Sequence, residues 1–97
     1  MLFRSSNLAL TDIKADYSIR IIPNPTTDYF ELEVLNRNIY EKGFDVEIIN
    51  PMGQVNFSKN GIRSGKTRFD ALNLENGINL IRVRTNGSVI YKRLIKQ

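Results

Sequence analysis

Glu31 and Glu33 stand two residues apart in a stretch of alternating polarity, so an extended chain points both carboxylates the same way. Paired carboxylates can share acid–base work or hold a hard cation. On the outer face of a strand they are ordinarily just solvated. Nucleophiles are no better equipped. Ser5, Ser6 and Ser64 have no histidine to activate them, because the chain contains none. Ser58 with Lys59 and Ser64 with Lys66 are adjacent or in loops, a poor geometry for a Ser–Lys pair. The absence of Cys and His removes disulfides, thiolate nucleophiles, the common zinc sites and the usual general base. Gly43, Gly53, Gly61, Gly65, Gly77 and Gly87 are spread among turns, so no phosphate-cradling loop exists. These residue types predict no catalytic residue, no metal site and no cofactor, and the chain reads as a non-enzyme.

Charge is a better guide. The net charge of +4 is unevenly placed: all ten acids lie at or before Glu75, and the stretch from Asn76 to Gln97 holds five cations and no acid. Arg82, Arg84, Lys92, Arg93 and Lys96 supply it. That pattern is either a solvated strand face or a surface for an anionic partner. No recognition helix, basic aromatic motif or Gly-rich RNA-binding signature accompanies it, so nucleic acid is not expected. Tyr17, Tyr29, Tyr40 and Tyr91 are too scattered to build a flat sugar-binding platform.

The elements that would position these side chains are strands. Ninety-seven residues allow one domain with a modest core. The fractions of hydrophobic (41%) and charged (25%) residues are those of an ordinary globule. No apolar run approaches the roughly 18 residues that span a bilayer. Met1-Leu2-Phe3-Arg4 lacks the order of a signal peptide, which fits a cytosolic protein or a piece of a longer secreted chain. Residues 1–17 show no sustained period and read as a tail or interdomain linker. From residue 18 to 97, short strands recur every 8–12 residues.

Ser18–Ile22 is the first strand. Pro23-Asn24-Pro25 stops it, deletes two backbone donors and makes the chain turn or switch sheets. Asp28–Leu35 alternates, with Phe30, Leu32 and Val34 inward. Asn36–Gly43 reads as a loop. Phe44–Asn50 alternates again, broken at Ile49. Pro51-Met52-Gly53 turns the chain into Gln54–Ser58, with Val55 and Phe57 inward. Lys66–Ala71 is a weaker strand. The leucines of the loop from Leu72 to Gly77 are expected to plug one end of the core. Ile78–Thr85 and Ser88–Lys96 form a closing hairpin around Asn86-Gly87, the dipeptide suited to a type I′ turn. Seven antiparallel strands without a convincing helix predict an all-β, Ig-like β-sandwich with Greek-key connections.

Four blocks occur in order along the chain: Ile22-Pro23-Asn24-Pro25-Thr26, then Val46 to Val55 around Gly53, then Leu72 to Val83 around Gly77, and last Tyr91-Lys92-Arg93-Leu94-Ile95-Lys96. Together they resemble the C-terminal sorting domain (type A) of proteins exported by the type IX secretion system of Bacteroidetes. Each block is weak alone, and the ordered set is fairly specific. It covers about four fifths of the chain, from Ile19 onward. Asn79 stands where that family usually has Tyr, and Met52-Gly53-Gln54 replaces a commoner Thr/Asn-Gly-Lys.

The resemblance implies a non-catalytic domain that directs a larger cargo through the periplasm to the type IX outer-membrane translocon, and on to the cell surface or the medium. It implies removal by a sortase-like protease that cuts before Ser18. Translocon recognition is then expected on the last strand, at Ile90, Lys92, Arg93, Leu94, Ile95 and Lys96. Pro23, Asn24, Pro25, Gly53 and Gly77 are expected to be turn residues that shape the domain. An exposed edge on that strand would offer strand addition to a partner, or a homodimer without membrane insertion. Two other readings stay open: an Ig- or fibronectin-like accessory module that binds polysaccharide or protein, and a structural spacer of a secreted enzyme.

Overall fold

The computed structural model describes residues 18–97, so the expected linker over 1–17 lies outside the described residues. Seven strands form in the expected order: β1 (Ile19–Ile22), β2 (Tyr29–Val34), β3 (Phe44–Ile49), β4 (Val55–Ile62), β5 (Lys66–Asp70), β6 (Gly77–Thr85) and β7 (Ser88–Lys96). They pair antiparallel in two sheets, ordered β1-β2-β5 and β4-β3-β6-β7. The chain crosses between the sheets after β2, after β4 and again after β5. These crossings give the expected Ig-like sandwich with Greek-key connections.

Alternation builds the core. Phe30, Leu32 and Val34 of β2 face Val46, Ile48, Ile81, Val83 and Leu94 of the other sheet, all essentially buried. The Phe30 ring stacks on Phe69 across the β2–β5 pair, with centroids 5.2 Å apart. Such a pair adds roughly 0.5–1.5 kcal/mol beyond its buried area. Leu74 plugs the core as expected, whereas Leu72 is exposed.

Three local expectations are corrected. Asn36–Gly43 is not a plain loop: Arg37–Lys42 form a short helix, α1. The two residues that read as turn formers are its caps. The Asn36 side chain accepts from the Asn38 N–H at 2.9 Å, and the Gly43 N–H donates to Ile39 O at 3.1 Å. Six residues are too few to display a 3.6 period, which is why the pattern hides it.

Val55 and Phe57 do not point inward together. A register shift opposite Ile48 and Ile49 gives β4 an extra residue, so Val55 pairs with Ile49 and Phe57 with Ile48. Val55 therefore faces out. Phe57 faces the core but sits at the open seam, its ring edge-on to Phe69, and stays 45% exposed.

The turn of the closing hairpin is not type I′. Gly87 has φ of 100°, while no residue other than glycine has positive φ among the described residues. Asn86 therefore keeps a negative φ, as in a type II turn.

Candidate recognition surface

The hairpin of β6 and β7 is the longest pairing in the molecule, continuous from Gly77 opposite Lys96 to Thr85 opposite Ser88. With one face on the core, alternation sorts the last strand into two sets. Ile90, Leu94 and Lys96 turn inward and are buried, and Lys92 on the same side is half-buried. Val89, Tyr91, Arg93 and Ile95 turn outward and are exposed. The six residues expected to be read by a partner therefore do not share a face. Leu94 and Ile90 are core side chains. The Lys96 ammonium donates to Leu74 O at 3.1 Å inside the fold, so it contributes little to the surface field. Arg93 and Ile95 are presented to solvent.

The edge of this strand is not open at its end. After β1 the chain leaves the three-stranded sheet, passes through Pro23-Asn24-Pro25 and runs alongside β7. Thr26 N–H donates to Ile95 O at 2.8 Å, and Gln97 N–H donates to Thr26 O at 2.9 Å. These bonds make a parallel bridge between Thr26 and Lys96. Asn24 extends it: its Nδ2 donates to Arg93 O at 2.8 Å, and its Oδ1 accepts from Ile95 N–H at 2.9 Å. Thr26 is buried, and its hydroxyl donates to Tyr29 O. The expected sheet switch is present. Its product is a clasp that closes the last strand's edge from Arg93 to Gln97. The expected exposed edge of the last strand is therefore covered in its C-terminal part. The two prolines flank Asn24 and fix the backbone on either side of it, both in cis peptide bonds.

The two glycines expected at turns have positive φ, 87° at Gly53 and 108° at Gly77. Gly53 closes a turn organised by a residue the sequence reading passed over. Asn50 is buried, and its Oδ1 accepts from both Met52 N–H and Gln54 N–H at 3.0 and 2.9 Å. Gly77 opens β6 beside Asn79. That residue faces the core with no exposed surface, and its Nδ2 donates to Glu75 O at 2.9 Å. Lys96 and Asn79 thus both tie down the loop between β5 and β6. The Asn79 Oδ1 has no hydrogen-bond partner among the described residues.

Arginines organise the electrostatics of the outer faces. On the three-stranded sheet Glu33 lies between Arg20 at 2.8 Å and Lys66 at 3.5 Å. The Arg20 hydrogen bond, helped by both positive charges, holds the Glu33 carboxyl below its ordinary value. On the four-stranded sheet Glu47 receives Arg82 at 2.6 Å and Arg84 at 3.3 Å. The Arg82 hydrogen bond holds this carboxyl low in the same way. Glu31 stays beside Glu33 on the outer face, opposite Arg68 and Ile22. Among the described residues no group of three or more acidic side chains gathers closely enough to hold a metal ion. The tyrosines do not make a platform. Tyr29 lies under the Arg68 guanidinium, 3.7 Å from the ring centre, Tyr40 packs on the core, and Tyr91 stands on the opposite sheet; Tyr17 lies outside the described residues.

Tyr91, Ile78 and Val89 are exposed beside Arg93 and Ile95. The sequence reading weighed Tyr91 only as a dispersed tyrosine and within the last motif block, and did not single out Ile78 or Val89. The signal was present. Once Leu94 is taken as core, period two alone places Tyr91, Arg93 and Ile95 on the other face.

A family model described as secretion system C-terminal sorting domain matches residues 20–97. No curated protein matches the chain.

Proposed function

The chain belongs to the C-terminal sorting domains of the type IX secretion system, and on that footing we propose that it is the non-catalytic handle by which a larger cargo is exported. The family marks it as a type IX sorting signal, which implies interaction with that secretion system and export to the cell surface or the extracellular space. The finer steps belong to this reading. The cargo crosses the periplasm with the sandwich folded, and the translocon engages the β6–β7 hairpin. A sortase-like protease then cuts in the segment before Ser18.

One observation carries the reading: the family match spans β1 to β7 and includes the clasped last strand. Within that match the most basic element is β7, with Lys92, Arg93 and Lys96. An edge available for homodimerisation in this reading is β4. Seven of the eight β4 residues are exposed, and no described backbone group other than those of β3 bonds to it.

The test fuses the full chain to the C-terminus of a Sec-exported reporter in a bacterium with a type IX system. Surface exposure is compared with a strain lacking the translocon. Translocon-dependent display supports the proposal. Periplasmic retention in both strains, with the domain folded, overturns it in favour of an accessory binding module.

A further inference from the structure

The outer faces of the two sheets are built differently. On the three-stranded sheet acids and bases interleave. Glu33 bridges Arg20 and Lys66, and Arg68 covers Tyr29, so charge and ring are satisfied within the face. The four-stranded sheet leaves apolar side chains uncovered. Ile78 stands opposite Ile95, Leu80 opposite Arg93, Tyr91 opposite Arg82 and Val89 opposite Arg84. Ile78 and Tyr91 are 52% and 50% exposed, and Val89 and Ile95 are nearly as open. These residues adjoin one another along two paired strands. An apolar patch of this kind, rimmed by charge, marks a binding surface more often than chance exposure does.

The patch has relief and charge. A depression of about 480 Å³ opens between Asn24, Ile78, Tyr91, Lys92, Arg93 and Ile95. Asn24 forms its wall because the clasp holds it against the edge of β7. Arg82 and Arg84 share one carboxylate, Glu47. Arg93 has no carboxylate partner among the described residues. It stands at the rim of the depression, in a stretch of sequence that holds no acid of its own.

Resting on the sorting reading, we infer that the outer face of the four-stranded sheet, centred on Ile78, Tyr91, Arg93 and Ile95, is the docking surface for an acidic protein partner that seats an apolar side chain in this depression. The charge arrangement favours a protein over an anionic lipid surface. Lipid recognition draws on clusters of uncompensated cations. Here Glu47 is shared by the two central arginines and offsets one of their two charges. The face therefore carries a low positive charge rather than a dense cluster, with Arg93 directed beside an apolar hollow. That combination is the anatomy of a protein interface: an apolar anchor with an arginine at its side.

The test uses the full chain fused to the exported reporter, in two arms. In the first, p-benzoylphenylalanine replaces Tyr91, or Glu31 on the opposite face, and the cells are irradiated during export. A protein adduct containing a translocon component from position 91, absent from position 31, supports the proposal. Lipid or lipopolysaccharide adducts, equal adducts from both faces, or no adduct at position 91 overturn it.

The second arm measures display of Ile78→Glu and Arg93→Glu, with thermal melting to show that each domain is folded. Both side chains are exposed, so the fold is expected to persist. Display is expected to drop roughly tenfold or more, the scale of losing an interface anchor. Arg93→Lys keeps the charge and is expected to recover most of it. Folded variants displayed like the parent overturn the docking face while leaving the sorting reading intact. Absence of translocon-dependent display by the parent fusion overturns both. Should a glutamate variant unfold, the cross-linking arm decides.

Discussion

The side-chain amide of Asn24 takes the place of a neighbouring strand for Ile95: its Oδ1 accepts the Ile95 N–H at 2.9 Å while its Nδ2 donates to Arg93 O, 71 and 69 residues away in the chain. An amide offers a donor and an acceptor side by side, as a peptide group does. Among side chains only glutamine shares this planar amide, and it is one methylene longer. Asn24→Ala is expected to lower stability by about 1 kcal/mol, because the site is exposed and water replaces part of what is lost. Hydrogen exchange at the Ile95 amide is the sharper measurement, since that proton loses its partner while the rest of the hairpin keeps its own.

Truncation separates recognition from folding. Reading the last strand as a free edge suggests that Leu94–Gln97 can be removed from a domain that stays folded. The structure predicts otherwise, because Leu94 has no exposed surface and Lys96 and Gln97 hold the loop and the clasp. Leu94→Ala alone is expected to cost about 2–5 kcal/mol, and the four-residue deletion more. Urea unfolding of both proteins tests this. An export defect in the truncated chain therefore reports unfolding before it reports recognition.

Lys96 and Arg93 are predicted to behave in opposite ways. Lys96→Met keeps a long buried stem and removes the hydrogen bond to Leu74 O, for a loss of roughly 1–2 kcal/mol. Its export is expected to match the parent protein, because its charge does not sit on the surface. Arg93→Glu is expected to leave the melting temperature nearly unchanged. Melting curves and display assays run on the same pair show whether charge or packing matters at each position.

Acid should weaken the sandwich through two carboxylates. Hydrogen bonds from Arg20 to Glu33 and from Arg82 to Glu47 hold both groups below their ordinary value of 4.5 in the folded state. The unfolded chain therefore binds protons first as pH falls. The stabilisation is fully present above pH 4.5 and is lost as pH drops through the lower folded values. Glu33→Gln and Glu47→Gln are expected to flatten the acid side of a melting-temperature profile. They should narrow their gap to the parent protein as pH falls below 4.5.

Period-two patterning made most of the sandwich legible. Phe30, Leu32, Val34, Phe44, Val46 and Ile48 announce their strands because each faces a continuous core. The reading fails where a side chain answers to something other than the core. Asn36 and Gly43 look like turn residues because capping and turning use the same chemistry. Val55 is misplaced because a bulge breaks alternation without leaving a mark in composition. At the candidate surface the basic hairpin was evident, but its residues were treated as one set. Charge drew attention to Lys96, whereas burial of its stem and a carbonyl acceptor decide its place. Asn24 was read for its prolines, and its amide contacts lie in residues about 70 positions on, beyond any local pattern.

The clasp also has a place in time. Bringing Asn24 to Ile95 closes a loop of nearly the whole described chain, and the entropy of that closure is met only after the nearer hairpins exist. A contact that arrives late leaves the folding rate almost untouched and acts on escape from the native state. Loosening the Pro-Asn-Pro-Thr segment is therefore expected to shorten the lifetime of the folded domain, leaving the speed at which it first forms almost unchanged.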